Sequence, residues 1–161
     1  MVEYRIATHE DIELMMGSRL EMLKVVNNLP ENHVYSDEFI TESRDYFLHG
    51  DQTTVLAIDN SIVIGCASIS YIRIMPTFSH PTGKRAHLMN VYTRDDYRRK
   101  GIARRMCEML INDAWDKGVT EISLDATMEG RPLYKNLGFK DSDECMVLTS
   151  FPCVWRSRKK R

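Results

Sequence analysis

The stretch Leu88-Met-Asn-Val-Tyr-Thr-Arg-Asp-Asp-Tyr-Arg-Arg-Lys-Gly-Ile-Ala103 decides how this chain is read. A β-rich run ends near Thr93, a turn rich in Asp and Arg comes next, and Arg98-Arg99-Lys100-Gly101-Ile102-Ala103 opens a helix. The first turn of a helix leaves backbone N–H groups without partners, and the aligned peptide dipoles put partial positive charge there. Gly and Ala let an anion come close to that backbone. Three cationic side chains at the same end oppose the dipole. A bound polyphosphate accounts for them better than the plain alternative, a helix start with a solvated basic edge. Two common phosphate loops are absent. Gly83-Lys84 is followed by Arg85 and has no upstream glycine in register, so G-x-x-x-x-G-K-[ST] fails, and no G-x-G-x-x-G occurs.

Upstream, Tyr4 to Ile6 reads as a short strand, and Thr8 with Asp11 as a capping box. Ile12, Met15, Met16, Leu20, Leu23 and Val26 recur at helical spacing up to about Asn27, and Pro30 enforces a break. Ser36 caps a second helix with Phe39, Ile40, Ser43 and Phe47 on one face, ending near Gly50. The period then changes. Thr53 to Ile58 and Ser61 to Ile74 read as a hairpin about Asp59-Asn60, and Pro76, Pro81 and Gly83 mark a loop before the strand Arg85 to Thr93. Downstream, Gly101 to Lys117 is a helix with Ile102, Met106, Leu110 and Ala114 buried, stopped by Gly118. Glu121 to Leu124 is a short strand, Pro132 starts a helix holding Leu133, Tyr134 and Leu137, and Cys145 to Thr149 is expected to close the sheet. The order β-α-α-β-β-β-α-β-α-β predicts one α+β domain with a mixed, mostly antiparallel central sheet flanked by helices. Parallel pairing falls in the second half.

Composition narrows the function. The chain has 161 residues, with 22 Lys and Arg against 23 Asp and Glu, a formal net charge of -1. A chain of this length folds without disulfides or a structural metal, and bulk charge gives no sign of a nucleic-acid partner. The start MVEYRIATHED lacks the apolar core of a signal peptide, and no run approaches the ~20 apolar residues of a membrane span. Cys66, Cys107, Cys145 and Cys153 are far apart, with no C-x-x-C pair, so no metal site is expected and reduced thiols in a cytoplasm are the plain reading. The expected domain is 1–150, and 151–161 is a basic tail ending Arg156-Ser157-Arg158-Lys159-Lys160-Arg161.

The Arg-x-x-Gly-x-Ala pattern at Arg98 to Ala103 resembles the acyl-CoA pyrophosphate loop of the GNAT N-acetyltransferase superfamily. Gly130-Arg-Pro-Leu-Tyr-Lys-Asn-Leu-Gly-Phe139 is similar to the same superfamily's Leu-Tyr-x-x-x-Gly-Phe signature, and the order of elements matches from Tyr4 to Thr149. The resemblance implies that acetyl-CoA is the cosubstrate. Its pantetheine arm would pair with the main chain of Val91, Tyr92 and Thr93, and its diphosphate with the N–H groups of Arg98, Arg99, Lys100, Gly101, Ile102 and Ala103. At Thr127 the chain departs from the Asn that many relatives carry, leaving one hydrogen bond near the pantetheine or the helix start.

The resemblance also implies that Tyr134 protonates the leaving thiolate; on spacing alone it reads as a core aromatic. His87 shares a strand face with Met89 and stands where several members place a Glu or His that takes the amine's proton; otherwise it is a partly buried, hydrogen-bonded histidine. Cys66 and Cys107 read as packing residues. The acceptor expected is a small-molecule or peptide amine, selected by Asn28 to Tyr35 and by the loop Met75 to Lys84. Alternatives are a longer acyl group on the same fold, or a non-catalytic acyl-CoA-binding module. A homodimer is compatible with such families, and no membrane or nucleic-acid partner is expected.

Overall fold

The computed structural model describes residues 1–150. The basic tail 151–161 lies outside the described residues. The elements are β1 (Glu3–Ile6), α1 (Ile12–Val26), α2 (Asp37–His49), β2 (Gln52–Asp59), β3 (Ile62–Arg73), β4 (Lys84–Thr93), α3 (Ile102–Asp116), β5 (Glu121–Leu124) and α4 (Arg131–Asn136). The strands form one sheet in the order β1-β2-β3-β4-β5. The first three pairings are antiparallel, and β4 with β5 is parallel. The mixed, mostly antiparallel sheet is the one expected.

Side-chain alternation explains why helices cover both faces. Val55, Ala57, Ile64, Ala67, Ile69, Ala86 and Leu88 turn to the face covered by α3, where they meet Ile102, Met106, Leu110 and Ala114. These four stand at i, i+4, i+8 and i+12 on α3 and form the predicted stripe. On the other face Leu56, Cys66 and Tyr92 pack on Met22 of α1. The buried stripe of α1 is Met15, Met16, Ser18 and Met22, whereas Val26, expected inside, stands exposed at its end.

Local signals start and stop these elements. The Thr8 N–H donates to Asp11 Oδ2 at 2.9 Å, and the Arg5 guanidinium donates to both Asp11 oxygens at 2.6 and 2.7 Å. Those bonds, Arg5 first and then Thr8, hold the Asp11 carboxyl down at about 2. Asn60 and Ser61 both take positive φ, the geometry of a tight hairpin between β2 and β3. Gly118, at φ 78, ends α3 in the left-handed conformation its position requires.

The expected closing strand at Cys145 to Thr149 is not formed. The described chain after α4 has no regular structure, and Met146 and Leu148 are 95% and 98% exposed. Its unbroken apolar run Cys145-Met-Val-Leu148 suits a short strand, but strand preference expresses packing on a sheet face and pairing with a neighbour. Met146 and Leu148 instead face solvent, and among the described residues β4 is the one strand that pairs with β5.

Candidate active site

β4 and β5 pair only from Arg85↔Glu121 to Leu88↔Leu124. β4 runs on to Thr93 against β3, while the chain after β5 turns off toward α4. Beyond Leu88 the edge of β4 that faced β5 is therefore open. The divergence coincides with a bulge: Ser68 faces Met89 and Cys66 faces Tyr92, so Asn90 and Val91 together oppose Ala67. Asn90 sits at φ 58, a conformation that Asn tolerates better than most residues. The extra residue re-aims the last side chains of the strand. Val91 turns to the α3 side, whereas Tyr92 turns to α1 and donates its hydroxyl to Glu21 at 3.0 Å. Burial, then Glu21, pushes that phenol up to about 12. Tyr92 can thus offer a ligand only its main chain. The Thr93 hydroxyl is buried without a partner among the described residues.

The open edge leads directly into the turn before α3. Gly101, at φ 77, is the N-cap, no side chain caps the helix, and its first turn holds no acidic residue. A Cβ built on Gly101 would meet nothing within 4 Å, so the space in front of the turn is free. Arg99 also has positive φ, at 62, which turns successive N–H groups toward one side. The side chains of Arg98 and Lys100 fold back: Arg98 Nε donates to the Thr93 carbonyl at 3.2 Å, and Lys100 Nζ to that of Asp96 at 2.9 Å. Arg99 and Arg105 are exposed and have no ion pair among the described residues. The parts present fit a diphosphate with a pantetheine arm: uncapped N–H groups, an unfilled approach at Gly101, an orphaned Thr93 hydroxyl and an open strand edge.

His87 lies on the α1 side of β4, paired across the sheet with Ser123 and Ser70. Its Nδ1 is 2.9 Å from Ser123 Oγ, and its Nε2 is 3.9 Å from Asp125 Oδ2. Ser123 can donate its own proton to the Ala86 carbonyl, at 3.5 Å. The Ser123 hydroxyl can serve Nδ1 as donor or as acceptor, and Nε2 faces the Asp125 carboxylate. Around His87, Tyr46 donates to Ser70 Oγ at 2.7 Å, and Ser70 reaches Met89 Sδ at 3.8 Å. His80, in the loop between β3 and β4, binds Thr120 and Glu121 and ties that loop to β5.

Tyr134 lies on α4 and packs against the α3-side core, edge-on to Phe139 at 6.1 Å. Its hydroxyl makes no hydrogen bond among the described residues. Burial pushes it up to about 12, so it stays protonated and able to donate. Thr127 Oγ1 accepts the Gly130 N–H at 3.1 Å and its carbonyl accepts the Arg131 N–H, so this side chain serves the start of α4. Tyr134 and His87 lie on opposite sides of the sheet and share no contact. Between them stands the gap where β4 and β5 part. Cys66 and Cys107 are buried, which pushes their thiols up to about 11 and about 12 and keeps them protonated.

Sequence reasoning misses the bulge at Asn90 and the orphaned Thr93 hydroxyl. Asn90 inside a β-rich run is the available signal, because Asn is poor in strands and tolerant of positive φ.

Residues 20–139 match the model of the acetyltransferase (GNAT) family, and the chain belongs to that family. It is an acetyltransferase by fold and sequence. A predicted acetyltransferase from Clostridium acetobutylicum, solved with acetyl-CoA, is 31% identical. The alignment covers 92% of this chain and 96% of that one, with a TM-score of 0.81. An aminoglycoside N-acetyltransferase solved with CoA has the same fold, at 18% identity, TM-score 0.71, and coverage of 95% and 96%. Human (Homo sapiens) N-acetyltransferase 8 is 32% identical over 75 residues, 45% of this chain. That match spans only 31% of the human protein's length. Among the described residues no helix is long and apolar enough to cross a membrane.

Proposed function

We propose that this chain transfers the acetyl group of acetyl-CoA to a primary amine by direct attack in a ternary complex. The observation that carries the reading is the open edge of β4 beyond Leu88, running into the uncapped, glycine-led start of α3. The N–H groups of Arg98 to Ala103 hold the diphosphate, and the main chain of Val91 to Thr93 aligns the pantetheine so that the thioester reaches the bulge. Bound acetyl-CoA supplies the activated acetyl group.

His87 Nε2 takes the proton that the attacking amine must lose, directly or through one water, and Asp125 stabilises the imidazolium. As the new C–N bond forms and the C–S bond breaks, Tyr134 gives its proton to the departing sulfur. One proton leaves nitrogen and one arrives at sulfur, so the step balances without a covalent acyl-enzyme. The protonated state of Cys66 and Cys107 agrees with that, because a thiolate would be needed to accept the acetyl group. The test is acetyl-CoA with a panel of amines, read by mass spectrometry for acetylated product. Acetyl-CoA that binds but is never transferred across the panel refutes the enzyme reading.

A further inference from the structure

Among the described residues seven arginines have a carboxylate within 4.0 Å. Arg73, Arg99 and Arg105 have none and are exposed. Arg19, on α1, differs from both groups. It is half-buried, no acidic side chain pairs with it, and its one hydrogen bond runs from Nη1 to Asn90 Oδ1 at 3.3 Å. A guanidinium carries five N–H donors.

A fixed network sets that contact. Gln52 donates to the Phe47 carbonyl, and Thr54 Oγ1 donates to Gln52 Oε1 at 2.7 Å. Ser68 must then donate to Thr54 Oγ1, also at 2.7 Å, and accept from Asn90 Nδ2 at 3.1 Å. The amide of Asn90 is therefore held with its oxygen toward Arg19. This network gives Arg19 a neutral acceptor and leaves its charge uncompensated. The nearby titratable groups, Cys66 and Tyr35, add no negative charge, since burial raises both. A half-buried cation without a counter-ion is costly, and an anion brought by a ligand would offset that cost.

The position says which ligand. Arg19 meets the bulged residue itself, on the same side of the sheet as Met89 and His87, beside the point where β4 and β5 part. The diphosphate turn lies on past Thr93. An anion at Arg19 therefore belongs to the amine. We infer that Arg19 binds a carboxylate of the acceptor and selects amines that carry one, a free amino acid being the simplest. This rests on the acetyl-transfer reading above.

The experiment compares acetylation of the proteinogenic amino acids with that of their carboxamides, by wild-type protein, R19Q and R19K. The amide keeps the size and the amine and removes only the negative charge. Wild-type kcat/KM should favour the acids by about ten- to a hundredfold, the range of a charge-assisted pair. R19Q should lose that preference, chiefly through the KM of the acid, and R19K should keep part of it. Three outcomes overturn the inference: no amino acid is acetylated, wild-type protein does not prefer the acids, or R19Q lowers acid and amide equally. The last is what a purely structural tie to the bulge would give. The wider amine panel with wild-type protein, run in parallel, separates this failure from failure of the parent reading: amines without a carboxylate are acetylated in the first case, and no amine is acetylated in the second.

Discussion

Substitutions at Gly101 separate backbone shape from charge at the diphosphate turn. Gly101 has φ 77, and nothing lies within 4 Å of where a Cβ would be. Ala and Glu therefore bear the same left-handed backbone penalty, about 1–2 kcal/mol, without a clash. They differ in what projects into the open space. If a diphosphate sits there, the Glu carboxylate of G101E lies roughly 5 Å from it, where two unit charges at an effective dielectric near 20 repel by about 3 kcal/mol. Water around an exposed turn reduces this to about 1–2 kcal/mol, roughly a five- to thirtyfold weaker Kd for G101E than for G101A. Isothermal titration with acetyl-CoA measures the difference. Raising the salt from 0.1 to 1 M shortens the screening length from about 10 to about 3 Å and should remove most of it. Equal affinities for the two variants at low salt would refute the placement of the diphosphate.

The same geometry sets other outcomes. Tyr134→Phe should lower kcat by about 10- to 1000-fold with acetyl-CoA affinity nearly unchanged, in a stopped assay of product. Because the Tyr134 hydroxyl is held near 12, no loss of activity below about pH 10 should trace to its ionisation. His87→Ala should lower kcat by about 10²- to 10⁴-fold with acetyl-CoA affinity nearly unchanged, and an unchanged kcat excludes His87 as the base. Asp11 titrates at about 2 in the fold against an ordinary value of 3.8. A depressed carboxyl stabilises the fold above its unfolded value and loses that contribution as pH falls through the folded one. Wild-type stability should therefore drop between about pH 4 and 2 in denaturant titrations. Asp11→Asn should be weaker by about 1–2 kcal/mol at neutral pH, discounted because the Arg5 side chain is partly exposed, with less of that acid-range slope.

Much of this fold is legible because local chemistry and periodicity agree. Thr8 and Asp11 mark the entry to α1. The four-residue stripe from Ile102 to Ala114 names the buried face of α3, and Gly118 marks its end. Sequence and structure part where partners across space decide. The apolar run at Cys145 to Leu148 is strand-sized but joins no strand of the sheet, and Val26 keeps helical spacing but runs past the core. The site divides in the same way. The uncapped turn before α3, where the proposed diphosphate would meet the backbone itself, is readable because glycine and basic residues announce it. The bulge at Asn90 depends on its register with Ala67. The unusual state of Arg19 depends on which carboxylates stand near it in space, and no one-dimensional pattern records that.

The most direct test is a crystal structure with coenzyme A. It should show the diphosphate oxygens within hydrogen-bond distance of the N–H groups between Arg98 and Ala103, and the pantetheine along Val91 to Thr93 in the gap left by β5. Coenzyme A bound elsewhere, with that turn closed over by the protein's own side chains, would contradict the account.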